Sequence, residues 1–430
     1  MCRFLLPLSL AALSLQGSAQ TPPTGLSNTH ISAQANAARA VEPALPLTLQ
    51  AAIALAMNFS PDLSAAQYEL QAVEALLQQA NVLPNPSLEV GIEDRRRETR
   101  ESTVQIRQPI ELGGKRSARM RAAETSISAA SAELNAKEAE IRAAVITAFF
   151  DVLAAQERVR LAQEAGDLAQ RATTVANKRV AAGKVSPVEE TKARVAESSV
   201  RLELTQARSE LSSARKRLSA TWGNLIPRFE RAEGQIDVLP DLPGTDTLTQ
   251  RLATAPTLTR ARHEVDRRQA LAQVERSRRI PDMAVTLGVK RSEELGRNQA
   301  VVGLSIPLPF LDSNRGNVLE SLRRVDKARD ELSATEIRLD GELIQAYEKL
   351  SVSRQEAESL QKEVIPGAQS AYDAASTGFE FGKFGFLDVL DAQRTLLQAK
   401  SQYLRALSEA HRAAADIDRI LGEATPVTRQ

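Results

Sequence analysis

Two periods of apolar residues run along this chain, and each occurs twice. Met283, Val285, Leu287 and Val289 alternate with Ala284, Thr286, Gly288 and Lys290, the period-two pattern of a strand with one apolar face. The same alternation appears at Leu88, Val90 and Ile92, at Val104 and Ile106, and at Val302, Leu304 and Ile306, with Glu89, Glu93, Gln105 and Arg107 in the opposite phase. The pattern predicts two hairpins: Ser87 to Glu93 with Thr103 to Gln108, and Met283 to Lys290 with Ala300 to Ile306. Their tips, EDRRRETRE and RSEELGRNQ, are charged and solvated. Elsewhere the period is seven. Met120, Ile127, Leu134 and Ile141 recur at that spacing and Leu161, Leu168 and Val175 resume it, while Val318, Val325, Leu332 and Leu339 repeat it later. Each run extends for roughly 65 residues with Pro366 as the one strong breaker, so each predicts a helix approaching ~100 Å and a coiled-coil packing mode.

Alignment of the chain with itself gives the domain plan. SPDLSAAQYELQ around Pro61 parallels APTLTRARHEVD around Pro256, NPSLEVGIE parallels IPDMAVTLG, and AAGKVSPVEETKARV parallels EFGKFGFLDVLDAQR, all in the same order. One architecture is therefore written twice, over 47–222 and 247–421. Each copy has a first helix (Leu47 to Leu83; Thr247 to Arg279), a hairpin, a Pro- and Gly-containing turn, a long helix and a return helix. Val188, Val195 and Leu202 in one return helix, and Leu390, Leu397 and Leu404 in the other, keep heptad spacing. The short turns at Gly183 and at Gly382 with Gly385 make the long and return helices antiparallel neighbours. Residues 223–246 form a crossover and 422–430 a tail.

The N-terminus has the features of a signal peptide: Arg3, an apolar run from Phe4 to Leu15, and the small residues Gly17-Ser18-Ala19, so the mature chain is expected to start near Gln20 with an extended segment over 20–46. The plainer alternative is an apolar N-terminus that stays cytosolic. The one cysteine, Cys2, precedes the apolar run and leaves with it, which removes disulfide, thiol and lipid-anchoring chemistry. Lys and Arg number 55 against 54 Asp and Glu, so charge gives no support to a nucleic-acid partner. Aromatics are only 3%, which suits close-packed, alanine-rich helices better than a thick mixed core.

The strands raise a closure problem. Eight to ten alternating residues match the roughly 9–11 that a tilted strand needs to cross a bilayer. No strand edge can stay unpaired in lipid, and the smallest barrels have about eight strands. Membrane-crossing hairpins would thus require several chains to close one barrel; the alternative is a small sheet capping a coiled coil.

The helix, hairpin, long helix, return helix order, with NPSLEV, QPIELGGKR, VVGLSIPLPF and GKFGFLDVLDAQRTL, resembles the TolC family of outer-membrane efflux proteins from about Leu47 to Leu421. IELGGKR with SIPLPFLDSNRGN is similar to the CzcC-like branch that serves cobalt, zinc and cadmium efflux. The resemblance implies a mainly α fold with a small β part. Three chains would close a 12-stranded barrel in the outer membrane above a periplasmic α-barrel, meeting a periplasmic adaptor and a proton-driven inner-membrane pump of the resistance-nodulation-division type. Leu88, Val90, Ile92, Val104, Ile106, Met283, Val285, Leu287, Val289, Val302, Leu304 and Ile306 would face lipid. Gly183, Lys184, Val185, Ser186, Pro187, Gly382 and Gly385 would meet the adaptor.

Asp388 and Asp391, three apart in FLDVLDAQ, match the aspartates that ring the narrow periplasmic end in this family; three copies would gather six carboxylates and favour cations. Acidic residues in a first helical turn also complement the helix dipole, worth about 0.3–1 kcal/mol each, and that reading stands beside the first. The turn departs from the family pattern: where TolC carries a latching arginine, this chain has Phe384, with Lys383 the nearby cation. A basic residue elsewhere, or an aromatic constriction from Phe384 and Phe386, are the two substitutes. Glu189 and Glu190 in the first-copy turn read as an ordinary helix start.

Other motifs carry little. Arg95-Arg96-Arg97 is a solvated loop, with lipopolysaccharide contact as the lesser reading. His30, His263 and His411 are scattered without metal-ligand spacing, and Gly113-Gly114-Lys115-Arg116 lacks the GxxxxGK[ST] spacing of a phosphate loop. Catalytic signatures are absent, so no enzyme activity or cofactor is expected. A passive exit duct therefore competes with a soluble periplasmic coiled-coil adaptor or scaffold, and a duct for organic toxicants competes with one for metals.

Overall fold

The computed structural model describes residue 42 and residues 46–94 and 96–422. These lie within one contact unit, Ala40–Gln430. The expected signal peptide, the remainder of the 20–46 segment, Arg95 and residues 423–430 lie outside the described residues.

The first repeat runs β1 (Leu47–Thr48), α1 (Leu49–Phe59), α2 (Pro61–Ala80), β2 (Ser87–Glu93), β3 (Glu101–Ile110), α3 (Lys115–Ala181) and α4 (Pro187–Ala220). After β4 (Ala232–Glu233) come α5 (Thr245–Leu252), α6 (Pro256–Ser277), β5 (Met283–Ser292), β6 (Arg297–Ser305) and α7 (Arg315–Ser359). A π-helical turn (Leu360–Val364), α8 (Ile365–Glu380) and α9 (Phe386–Leu421) complete the described chain.

The single first helix expected in each repeat is in fact two. Ser60 and Ala255 hold extended backbone, ψ 123° and 137°, directly before Pro61 and Pro256, which start the second helices. Proline excludes the α conformation from the residue before it and suits the first helical position, so it breaks one helix and begins the next. At Pro366 the outcome differs. The Ile365 N–H donates back to the Leu360 carbonyl, and the π turn accommodates the ring without ending the helix. Helix therefore continues from Arg315 to Glu380, and the 67-residue α3 is ~100 Å long.

Strands β2, β3, β5 and β6 form one antiparallel sheet in that order. The hairpins extend further than the alternation alone indicated, because β3 includes Pro109 and Ile110, and β5 continues to Ser292. Leu88, Ile106, Leu287 and Val302 align across the four strands, and Val90, Val104, Val289 and Ala300 form the next row. A second pairing, parallel between Leu47–Thr48 and Ala232–Glu233, ties the crossover to the start of the first repeat.

The main core lies mid-helix, where Ile141 to Ala155 of α3 meet α1, the end of α4 and the buried Trp222 and Phe229. Glu42 is buried there. Its carboxylate accepts from Trp222 Nε1 (3.0 Å), Asn224 Nδ2 (2.6 Å), the Phe229 N–H (3.1 Å) and the Arg228 N–H. Along α3 and α7 the heptad residues Ile141, Val325 and Leu339 are buried as expected.

On α4 the expectation fails. Val188, Val195 and Leu202 are exposed, whereas Ala193, Ala207 and Ala214 are buried. Alanines on both helices, among them Ala165, Ala169 and Ala176 of α3, allow close backbone approach. That leaves the bulkier stripe on the outside of α4.

Candidate functional site

Two helical turns and two sheet faces hold the candidate residues. The turns close alike. In the first, Gly183 takes φ 68° and the Lys184 N–H donates to the Arg179 carbonyl at 3.0 Å; in the second, Gly382 takes φ 75° and the Lys383 N–H donates to the Gly378 carbonyl at 2.7 Å. Positive φ favours glycine, and the bond back across the last turn satisfies a carbonyl left open at a helix end. Ser186 then caps α4, accepting from the Val188 N–H at 3.3 Å, with Pro187 in the first helical position. Gly183, Lys184, Ser186, Pro187, Gly382 and Gly385 are exposed and Val185 is half-buried.

Asp388 and Asp391 are both exposed on the first turns of α9, above the buried Val389. The Asp388 carboxylate accepts from the Gly385 N–H at 2.8 Å, so besides complementing the helix dipole it caps the start of α9, a bond the sequence reading did not include. Lys383 is exposed. The Phe384 ring is half-exposed and lies over Gly378, where a Cβ would clash with it. The side chain of Phe386 lies outside the described residues.

The structure adds a residue that sequence reasoning missed. Arg179, in the last turn of α3, donates from Nη2 to the Phe379 carbonyl at 2.8 Å, and its guanidinium sits 4.0 Å from the centroid of the Phe379 ring. Beneath it Ala176, Ala193, Ala375, Phe379 and Val389 form a small apolar cluster joining the two turns. An arginine shortly before a turn glycine carries no signal of its partner 200 residues away.

In the sheet, register puts all twelve expected apolar residues in the same phase and therefore on one face, with Ile306 just beyond the end of β6. Ten of the twelve are exposed, while Met283 and Val285 are half-buried. The opposite face holds Gln105 donating to Glu89 (2.7 Å), Arg107 paired with Glu89 (3.3 Å), and Lys290 paired with Glu101 and 3.9 Å from Glu93. One face is thus mostly hydrocarbon, interrupted by Gln108 opposite Val285 and giving way to Ser102, Arg291 and Asn298 towards the tips, and the other is polar and carries these ion pairs. Strands β2 and β6 are the sheet's edges.

Of the three histidines, His411 is buried, stacked on Phe150 with ring centroids 3.6 Å apart, and within hydrogen-bond distance of the Ile236 carbonyl (3.0 Å). Burial pushes its pKa down to about 4. Among the described residues no group of His, Cys, Asp and Glu is arranged to hold a metal ion, and no helix is long and apolar enough to cross a membrane.

Residues 52–224 and 247–423 match the family described as outer membrane efflux protein. The chain is 49% identical over 381 residues to the cobalt-zinc-cadmium resistance protein CzcC of Cupriavidus metallidurans, covering 89% of this chain and 91% of that protein. Its fold is similar to the CmeC outer membrane channel of Campylobacter jejuni, with a TM-score of 0.75 and 17% identity over 87% of this chain and 85% of that one. It is also similar to the open state of the MtrE outer membrane channel of Neisseria gonorrhoeae, with a TM-score of 0.74 and 19% identity over 87% and 89%.

Proposed function

We propose that this chain, which belongs to the outer membrane efflux protein family and is an outer-membrane efflux duct extending into the periplasm, passes heavy-metal cations of the cobalt, zinc and cadmium kind to the exterior. The observation that carries this cargo is the 49% identity to CzcC over nearly the full length of both chains.

Three copies complete the duct. A four-stranded sheet with open edges at β2 and β6 is not a stable object in lipid, and three such sheets joined edge to edge give twelve strands in one closed wall. The twelve apolar residues then face lipid. The ion pairs of the other face line the passage. The exposed stripe Val188, Val195 and Leu202 is buried against a neighbouring copy.

The turns at Gly183 to Pro187 and Gly382 to Gly385 receive a periplasmic adaptor, and a proton-driven inner-membrane pump supplies the work. Asp388 and Asp391 ring the periplasmic end. Arg179, bound to Phe379, takes the part of the arginine missing from the second turn and holds the two turns together.

Growth of a deletion strain on zinc, cobalt and cadmium salts, beside dyes, detergents and antibiotics, tests the cargo. Sensitivity to the metals, reversed by the restored gene, is expected. Sensitivity confined to organic compounds overturns the metal reading and leaves the duct.

A further inference from the structure

A cleft runs between α4 and α9 with α3 as its floor, from near the two turns up to the level of the main core. It faces away from the crossover. On α3, Asp151 and Arg158 line the cleft, while Phe149 and Leu153 lie over Gly234 and Gln156 exchanges hydrogen bonds with Ala232 at 2.8 and 3.0 Å. On α9, Arg405 lines the cleft, while Tyr403 and Leu407 pack in one cluster with Ile236 and Leu239. Residues two apart on a helix point to opposite sides, so both helices turn one side to the crossover and the other to the cleft. The outer wall of a helical tube can carry a second layer of chain, but its bore has no room for one. With the crossover outside, the cleft faces the bore.

The stripe of α9 on this side begins at Asp391. Arg394 follows one turn on, and Gln398, Arg405 and Arg412 recur from Asp391 at heptad spacing, all four lining the cleft. Arg405 stands roughly 21 Å beyond Asp391 along the helix axis. The charges of the cleft are uneven, with six cations against four carboxylates. Three of the cations are committed. Arg158 pairs with Glu210, Arg412 with Asp151 at 2.7 Å and Glu409 at 3.1 Å, and Arg217 lies 4.0 Å from Asp151. Lys192, Arg394 and Arg405 are exposed and have no hydrogen bond or ion pair among the described residues, and Glu203 is the one carboxylate of the cleft in that condition.

We propose that the passage turns basic just inside its acidic periplasmic end and that Arg394 and Arg405 bind small anions there, an inference that rests on Asp391 belonging to a ring around a three-chain passage. Three copies set six guanidinium groups around one bore. Rings of arginine or lysine favour anions in pores, and a narrow passage lined by one sign of charge concentrates the opposite ion. A metal cation travelling alone is drawn by the carboxylates and repelled by the guanidinium groups beyond them. Anions held at Arg394 and Arg405 cancel that repulsion, so cationic cargo passes in company with its counter-ions.

The test uses trimers of the full chain in planar bilayers, with the zero-current potential measured across a potassium chloride gradient. Arg394→Glu with Arg405→Glu is expected to raise the potassium-to-chloride permeability ratio by roughly threefold or more, and Arg394→Gln with Arg405→Gln by less. Because Cys2 is expected to leave with the signal peptide, Arg405→Cys provides a single thiol. A sulfonate-bearing methanethiosulfonate at that thiol should shift the ratio as Glu does, and an ammonium-bearing one should reverse the shift. An unchanged ratio in the Glu variant, or a labelled thiol at 405 that leaves the ratio unmoved, overturns the proposal. If the Glu variant does not assemble, the Gln pair and the thiol decide. An unmoved ratio beside altered cation block in Asp388→Asn with Asp391→Asn removes the basic girdle and keeps the acidic end. A parent chain that forms no conducting trimers removes the duct reading and the proposal with it.

Discussion

Removing the Arg179 guanidinium should loosen the periplasmic end without dismantling the protein. Arg179 makes one charged hydrogen bond to the Phe379 carbonyl and one cation–π contact to the same residue. A hydrogen bond from a charged donor is worth roughly 1.5–3 kcal/mol, and a cation–π contact at a partly exposed site about 0.5–1 kcal/mol. The site is half-buried, so the low end of the sum applies, about 2 kcal/mol per chain. If the two turns separate when the end opens, Arg179→Ala shifts the closed-to-open ratio by roughly twentyfold to thirtyfold per chain. If three chains open together, as in the proposed trimer, the factors multiply to roughly ten-thousandfold. Arg179→Lys retains the charge but lacks the planar stack and should fall between. The Ala and Phe cluster beneath remains, so assembly should be unaffected. The assay is single-channel conductance in planar bilayers, with trimer content checked on gels. Arg179→Ala trimers that conduct as the parent does would refute the clasp.

Three further outcomes are expected. Asp388→Asn with Asp391→Asn should weaken block by multivalent cations added from the periplasmic side by tenfold or more, and unchanged block in the double variant would remove the carboxylate ring. His411 is held neutral in the folded state, with a pKa about 4 against 6.5 ordinarily, so the unfolded chain binds more protons between those values and stability falls as pH drops through that window. The loss is at most about 3 kcal/mol; denaturation midpoints measured at pH 7 and pH 4.5 should converge in His411→Phe, and an unchanged pH slope would contradict the burial argument. A Cβ at Gly288 would lie 2.6 Å from the Val104 carbonyl oxygen and 2.8 Å from the Gln105 Cα, so Gly288→Val should part β3 from β5 and lower the yield of heat-modifiable trimer on gels. Gly303→Ala, which meets nothing closer than Thr286 Cβ at 3.5 Å, should be tolerated.

Periodicity determined the plan of this protein. A strand with one apolar face must alternate and a long packed helix must repeat about every seven residues. Leu88 to Ile306 and Met120 to Leu339 therefore revealed the hairpins and the long helices, and the repeat of Pro61 at Pro256 revealed the duplication. Local chemistry was likewise legible where it acts on neighbours, as in the turn glycines and the acidic first turn of α9.

Tertiary structure decided what depends on distant partners. It placed alanine rather than valine at the α3–α4 seam, because a helix face is chosen by what it meets and not by which stripe is more apolar. It paired Leu47–Thr48 with Ala232–Glu233, too short a match to leave any period, and it gave Glu42 four donors from a segment about 180 residues away. It also brought Arg179 onto Phe379. Those partners are far apart in sequence and are set by packing, so the bonds between them appear only once the chain is folded.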